Sequence, residues 1–352
     1  MTRTRIPVAV LGATGAVGQT FVRLLADHPW FELAEVAASE RSAGKSYADA
    51  TRWIEGAMPS AARGLRVTVC DPATVRSAIV FSALDSAAAE TVEPAFAQAG
   101  RLVATNAKNF RMDAQTPLLI PEINASHLAL LAAQRAARGW TGAIVANANC
   151  AATVAGMALA PIHAAFGIRT LFMATMQAVS GAGYPGVPSL DILGNVIPYI
   201  GDEEPKLEQE LQKILGTVAG DAIRAAEFRV SAHANRVPVE HGHTTVLSVQ
   251  CERPVTVEGA REAILAWRGD EQVRGLPSAP AIPLRLHDDP SRPQPRRDVM
   301  DGSGMTVQVG RLRADPVFDL KLVAMGHNTI RGAAGGALLN AELLVATGQV
   351  PG

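Results

Sequence analysis

Residues 6–18 read IPVAVLGATGAVG. A short apolar, β-branched run ends in glycine, and a helix-compatible segment, Val17–Ala26, follows. Gly12, Gly15 and Gly18 stand at G-x-x-G-x-x-G spacing on this strand-to-helix turn. Glycine lets the backbone turn tightly and approach a pyrophosphate, whose charge is favoured at a helix N-terminus. Such a pattern alone is weak and also fits a plain strand–helix turn. Its place after the first strand of an alternating series favours the nucleotide.

Strand-like runs recur at Phe31–Ala38, Ile79–Ser82, Arg101–Thr105 and Ala143–Ala146, with helix-compatible stretches at 87–99 and 125–138. This alternation predicts an α/β domain over residues 1–149 with a Rossmann-type, doubly wound parallel sheet. After Cys150 the texture changes. A helical stretch, Ala151–Phe166, leads to an alternating run, Thr170–Val179, of the kind found in antiparallel sheets. Arg229–Val239, Thr244–Gln250, Met305–Arg311 and Val317–Val323 are further strands, predicting an α+β second domain over residues 150–327. The proline-rich segment 277–297 reads as a long irregular loop, and Asn328–Thr347 as a helix within a C-terminal segment, 328–352.

The chain has 352 residues, enough for two domains with a core each. A net charge of -1 supplies no basic field for nucleic acid. With 48% hydrophobic and 18% charged residues, the composition is far from that of disordered chains. Cys70, Cys150 and Cys251 are too widely spaced for a disulfide scaffold or a zinc pair, and no metal site is expected. The N-terminus lacks the apolar stretch of a signal peptide. Residues 141–162 are uncharged but contain Asn147, Asn149, Gly156 and Pro161, so a strand–turn–helix is predicted rather than a membrane span. A cytoplasmic protein without membrane partners is the expectation. Only five lysines occur, at 45, 108, 206, 213 and 321, so 27 of the 32 basic residues are arginine.

The second strand runs out into Ser39-Glu40-Arg41-Ser42. An arginine between hydroxyls suits the 2′-phosphate of NADP, because the guanidinium forks onto phosphate oxygens. Glu40 is the competing reading, an NAD-type acid for the ribose hydroxyls. Asn147-Ala-Asn149-Cys150 closes the first domain. Cys150 follows a strand and opens a helix, where backbone N–H groups favour a thiolate. Cys70 and Cys251 read as small buried apolar residues. His241 and His243, two apart, would face the same side of a strand and offer a base. Cysteine, histidine and a nicotinamide site are the working set for thiohemiacetal oxidation or acyl reduction.

The motifs LGATGAVGQ, LLIPEIN, NANC, QAVSGAGYPGVPSLDILGNVIPYIGDEEPKLEQELQKILG, RVPVEHGH, RPQPR and HNTIRGAAGGALLNAELL, dispersed over nearly the whole chain, resemble the aspartate-β-semialdehyde dehydrogenases of the archaeal and fungal-type branch. The resemblance implies a catalytic and dimerisation domain after Cys150 and a C-terminal helix that packs back on the cofactor domain. It implies Cys150 as the acylated nucleophile, His243 as acid/base, Gln177 as holder of the acyl-enzyme and Asn149 as a neighbour that places the substrate. Arg236 then corresponds to the fork on the substrate carboxylate, Glu203 to the acid for its ammonium, and Arg111 with Lys206 to the phosphate-binding pair. Thr14–Val17, including Gly15 and Ala16, with Ser39, Arg41, Ser42, Ser82, Ser180, Gly181 and Asn328, fall where the family binds NADP. The implied activity is reductive dephosphorylation of L-aspartyl-4-phosphate, feeding lysine, methionine and threonine biosynthesis, by a homodimer or homotetramer using inorganic phosphate. Two alternatives stand beside it: malonyl-CoA reductase-like reduction of an acyl-CoA, and a non-catalytic NADP-binding sensor. The family pattern N-P-N-C followed by Ser or Thr is here N-A-N-C-A-A, with Ala148 and Ala151 as departures.

Overall fold

The structure, a computed structural model, describes residues 4–350. Residues 1–3 and 351–352, the outer ends of the first and last predicted segments, lie outside the described residues. Seven strands form the first sheet: β1 (Ile6–Leu11), β2 (Phe31–Ala38), β3 (Val67–Val69), β4 (Ile79–Ser82), β5 (Leu102–Thr105), β6 (Leu118–Leu119) and β7 (Ala143–Asn147). Their order is β3-β2-β1-β4-β5-β7-β6, and every neighbouring pair is parallel. The chain winds outward from β1 to β3, then returns to β4 on the other side of β1. That reversal opens a crevice at the carboxyl ends of β1 and β4, the usual ligand position in such sheets. β4, β5 and β7 are buried at every residue, as sheets covered on both faces require. β3 and β6, three and two residues long, escaped the sequence reading because they are too short to show a period.

The second half carries β8 (Ile168–Gln177), β9 (Thr217–Ala219), β10 (Ala222–Arg224), β11 (Arg229–Arg236), β12 (His243–Cys251), β13 (Leu284–Leu286), β14 (Val307–Ala314) and β15 (Leu320–Gly326). Six of them form a sheet in the order β11-β8-β12-β15-β14-β13, while β9 and β10 make a separate hairpin. The antiparallel expectation needs correction. β8, β12, β15 and β14 are antiparallel in turn, but β11 runs parallel to β8 and β13 parallel to β14. The long connection from β8 to β11 includes the helix Glu203–Ile214, and a crossover of that length is what a parallel neighbour needs. The proline-rich segment is not wholly irregular, since β13 lies inside it as a short edge strand, where proline is tolerated.

The helix Cys150–Phe166 lies in one core with Leu171, Met173, Leu247 and Val249 of the mixed sheet. Burial in β12 alternates residue by residue, one face turned to this core. After β15 the chain makes a π-helical turn, Ile330–Ala334, then a helix, Gly335–Ala346, rather than the continuous helix predicted. Leu338, Leu339, Leu343 and Leu344 of that helix share the first sheet's core with Val8, Val10 and Phe81, so the C-terminal segment returns to the first sheet. Among the described residues no helix is long and apolar enough to cross a membrane.

Candidate active site

A cavity of about 1240 Å³ runs from the turn after β1 to the start of the helix Cys150–Phe166. At its near end Gly12 has φ +72°, and a Cβ there would lie 2.6 Å from the Ala83 carbonyl oxygen. A Cβ on Gly18 would lie 2.3 Å from the Gly12 oxygen, so the helix Ala16–Leu25 could not seat so closely on its strand. Gly15 is different: its Cβ would meet only the Gly12 oxygen, at 3.4 Å. It caps the helix without a side-chain bond, leaving the first amides open to an anion. This cradle fits a dinucleotide pyrophosphate.

Gly12, Thr14, Gly15, Ala16 and Val17 line the cavity, as do Ser39, Ser180, Gly181 and Asn328. Asn328 donates to the Ser180 hydroxyl at 2.8 Å and accepts from the Gly242 amide at 3.0 Å. Gly18, Arg41, Ser42 and Ser82 do not line it: Arg41 is exposed, whereas Ser42 and Ser82 are buried. Glu40 does line it, and so do Cys70 and Asp71 at the end of β3, which no motif signalled.

At the far end, Cys150 is the first residue of its helix and half-buried. Its Sγ lies 3.1 Å from His243 Nε2. Asn149 caps the helix, its Oδ1 accepting from the Ala151 and Ala152 amides. The helix start stands where the sequence suggested, but a thiolate is not the favoured state. A helix terminus contributes at most about 2 kcal/mol. Enclosure by protein and the nearby Glu203 carboxylate outweigh it, with Arg111 and Arg236, and push the thiol up to about 12.

His243 is held down to about 3 by burial and by Arg236, His327 and His241. Its Nδ1 accepts from the Ala178 amide at 3.1 Å, so the neutral ring carries its proton on Nε2, facing the sulfur. The resting pair is therefore thiol and neutral imidazole. His241, expected beside His243 on a strand, precedes β12 in a turn and stacks on His327 with ring centroids 4.8 Å apart. Glycine at 242, with φ +105°, breaks the alternation there.

One helix, Glu203–Ile214, supplies the polar wall. Glu203 is buried. Its Oε1 accepts from Asn149 Nδ2 at 2.8 Å and Gln177 Nε2 at 3.0 Å, and its Oε2 lies 3.4 Å from Lys206 Nζ. Arg236, opposite Gln177 on β11, donates to the Ala178 carbonyl at 2.8 Å and lines the cavity. Arg111 donates to the Asn106 carbonyl at 2.8 Å and to Glu210 Oε1 at 3.0 Å. Thus Cys150, His243, Gln177, Asn149, Glu203, Lys206, Arg236 and Arg111 gather at one end of a nucleotide cradle, within a single constellation.

An open parallel sheet with a glycine cradle, ending on a half-buried cysteine beside a buried histidine and flanking cations, defines the class: a dinucleotide-dependent oxidoreductase. The description "Semialdehyde dehydrogenase, NAD binding domain" matches residues 7–131, and "Semialdehyde dehydrogenase, dimerisation domain" matches residues 159–331. The aspartate-semialdehyde dehydrogenase of Archaeoglobus fulgidus is 48% identical over 97% of this chain and 98% of its own. A crystal structure of the Candida albicans aspartate semialdehyde dehydrogenase with NADP superimposes with a TM-score of 0.91 at 39% identity, covering 98% of this chain and 100% of that one. The Vibrio cholerae aspartate semialdehyde dehydrogenase II, complexed with ASA, gives 0.77 at 28% identity over 97% and 99%. The chain belongs to the aspartate-semialdehyde dehydrogenase family.

Proposed function

We propose that this chain carries out the NADP-dependent reductive dephosphorylation of L-aspartyl-4-phosphate to L-aspartate 4-semialdehyde through a thioester on Cys150. The observation that carries the reading is the 3.1 Å approach of Cys150 Sγ to His243 Nε2 at the end of the dinucleotide cradle. On this reading residues 1–149 hold the nucleotide, 150–327 run the acyl chemistry, and 328–352 close back on the nucleotide side. Gly12, Thr14, Gly15, Ala16 and Val17 would hold the pyrophosphate, with Ser39 toward the adenosine phosphate and Ser180, Gly181 and Asn328 toward the nicotinamide; Gly18, Arg41, Ser42 and Ser82 stand off the cavity and are given no contact.

The Cys150 sulfur attacks the acyl carbon, forming a C–S bond as the C–O bond to phosphate breaks, and the thiol proton leaves with the phosphate. Arg111 and Lys206 offset the charge of the departing phosphate. NADPH held in the glycine cradle would supply the hydride that reduces the acyl carbon. The C–S bond then breaks, the aldehyde leaves, and His243 exchanges the proton with the sulfur. Arg236 forks onto the substrate carboxylate and Glu203 takes its ammonium. Gln177 and Asn149, both tied to Glu203, hold the acyl group in place.

Acyl-CoA reduction and a non-catalytic sensor are not favoured, because the relatives spanning the chain are aspartate-semialdehyde dehydrogenases and the nucleophile, base and carboxylate clamp are all present. The protein works as a homodimer in the cytoplasm, with a homotetramer as the finer reading; the exposed Leu190, Leu193 and Tyr199 supply apolar interface surface. The test is NADP reduction with aspartate semialdehyde and phosphate. A phosphate-dependent signal is expected, with Cys150→Ser losing on the order of a thousandfold or more in turnover while still binding NADP. Absence of that signal from folded protein would sink the reading.

A further inference from the structure

The helix Glu203–Ile214 presents Glu203, Lys206, Glu210 and Lys213 at steps of three and four, on one face turned to the cavity wall. The function proposed above uses the first two. The other two are buried and make contacts that no exposed helix pair makes. Glu210 divides its carboxylate between two parts of the site. Oε1 accepts from Arg111 Nη1 at 3.0 Å, and Oε2 accepts from the Asn149 backbone amide at 2.6 Å. Asn149 is the cap of the nucleophile's helix, so the second bond fixes the residue immediately before Cys150. Lys213, one turn further, donates to the carbonyls of Arg111, Asp113 and Thr116 at 2.7, 2.7 and 2.9 Å. Three donors on a compact ammonium satisfy three converging carbonyls, which a planar guanidinium cannot. In a chain so poor in lysine, this one is explained by geometry.

We propose that Glu210 is a positioning residue for the phosphate step: one carboxylate sets both the guanidinium that receives the anion and the backbone that carries the nucleophile. Lys213 supports it by fixing the backbone of Arg111. A lone arginine beside a cavity samples many rotamers, and ordering it when the anion arrives would cost affinity. Glu210 and the Asn106 carbonyl hold two of its nitrogens beforehand, leaving the remaining donors for the anion. The isosteric substitution Glu210→Gln leaves one acceptor oxygen for two donors, so one of the two bonds must be lost.

The inference rests on Arg111 being the phosphate ligand, so the experiment includes that residue. Steady-state KM values for inorganic phosphate and for aspartate semialdehyde are measured for the parent, Glu210→Gln and Arg111→Ala. Alongside, protection of Cys150 against iodoacetamide by phosphate is titrated, a readout that needs no turnover. Glu210→Gln should raise both the phosphate KM and the protecting phosphate concentration by roughly tenfold or more, leaving the semialdehyde KM within about twofold. Glu210→Asp, which keeps the charge but falls one methylene short, is the second variant should the amide fail to fold, and the same split is expected. A phosphate KM unchanged, or rising in step with the semialdehyde KM, overturns the proposal in favour of a purely structural role. If Arg111→Ala itself leaves the phosphate KM and the protection unchanged, the anion-site assignment fails and the inference falls with it. If Arg111→Ala moves them and the Glu210 variants do not, the inference alone falls.

Discussion

At the position of Cys150, opposed effects differ enough in size to decide the resting state. Helix start and cations favour a thiolate, but enclosure and Glu203 hold the proton on sulfur. His243 cannot readily take it, because burial and three basic neighbours keep the ring neutral. A raised thiol value means little thiolate at neutral pH and more as the pH climbs. Alkylation of Cys150 in the free protein should therefore keep accelerating above pH 9, the range where an ordinary thiol levels off. Iodoacetamide rates from pH 6 to 10 check this, and a plateau near neutrality would mean the pair rests ionised. Cys150 and His243 were legible in the sequence because each sits in a local signature. Glu210 was not: its partners Arg111 and Asn149 are 99 and 61 residues away in sequence, and nothing in EEPKLEQELQKI says which carboxylate turns inward.

Among the elements, the helix Cys150–Phe166 and the π-helical turn Ile330–Ala334 are seated on each other without slack. A Cβ on Gly332 would stand 2.5 Å from the Cys150 Cβ and 2.8 Å from its Cα. Gly332→Ala should cost about 1–3 kcal/mol of stability through overpacking and, by displacing the sulfur, at least about tenfold in turnover. Thermal melts and steady-state rates measure both, and parent-like turnover would show that the two elements are free to separate. Most of the long strands and helices were legible from period and punctuation, the helix Val257–Ala266 excepted. β3, β6 and the β9–β10 hairpin were not, since pieces of two or three residues take their conformation from neighbours rather than from pattern. The parallel placement of β11 was hidden for a related reason, because strand direction is set by the crossover and leaves no mark on alternation.

Across the whole molecule, the site exists only where the two sheets meet. The parallel sheet brings the glycine cradle, Asn106 and Arg111; the mixed sheet brings Gln177, Arg236 and His243; the helix Glu203–Ile214 and the returning C-terminal segment lock them together. The class of chemistry was readable from local motifs, but their convergence required the folded chain. The central claim is that an acyl group passes through Cys150 and leaves to phosphate. Its most direct test is peptide mass mapping of protein mixed with NADP and aspartate semialdehyde, phosphate withheld, and quenched at short times. The expected result is an aspartyl adduct on the peptide containing Cys150, discharged when phosphate is added before the quench. An adduct on Cys70 or Cys251, one indifferent to phosphate, or none at all in protein that binds NADP would contradict it.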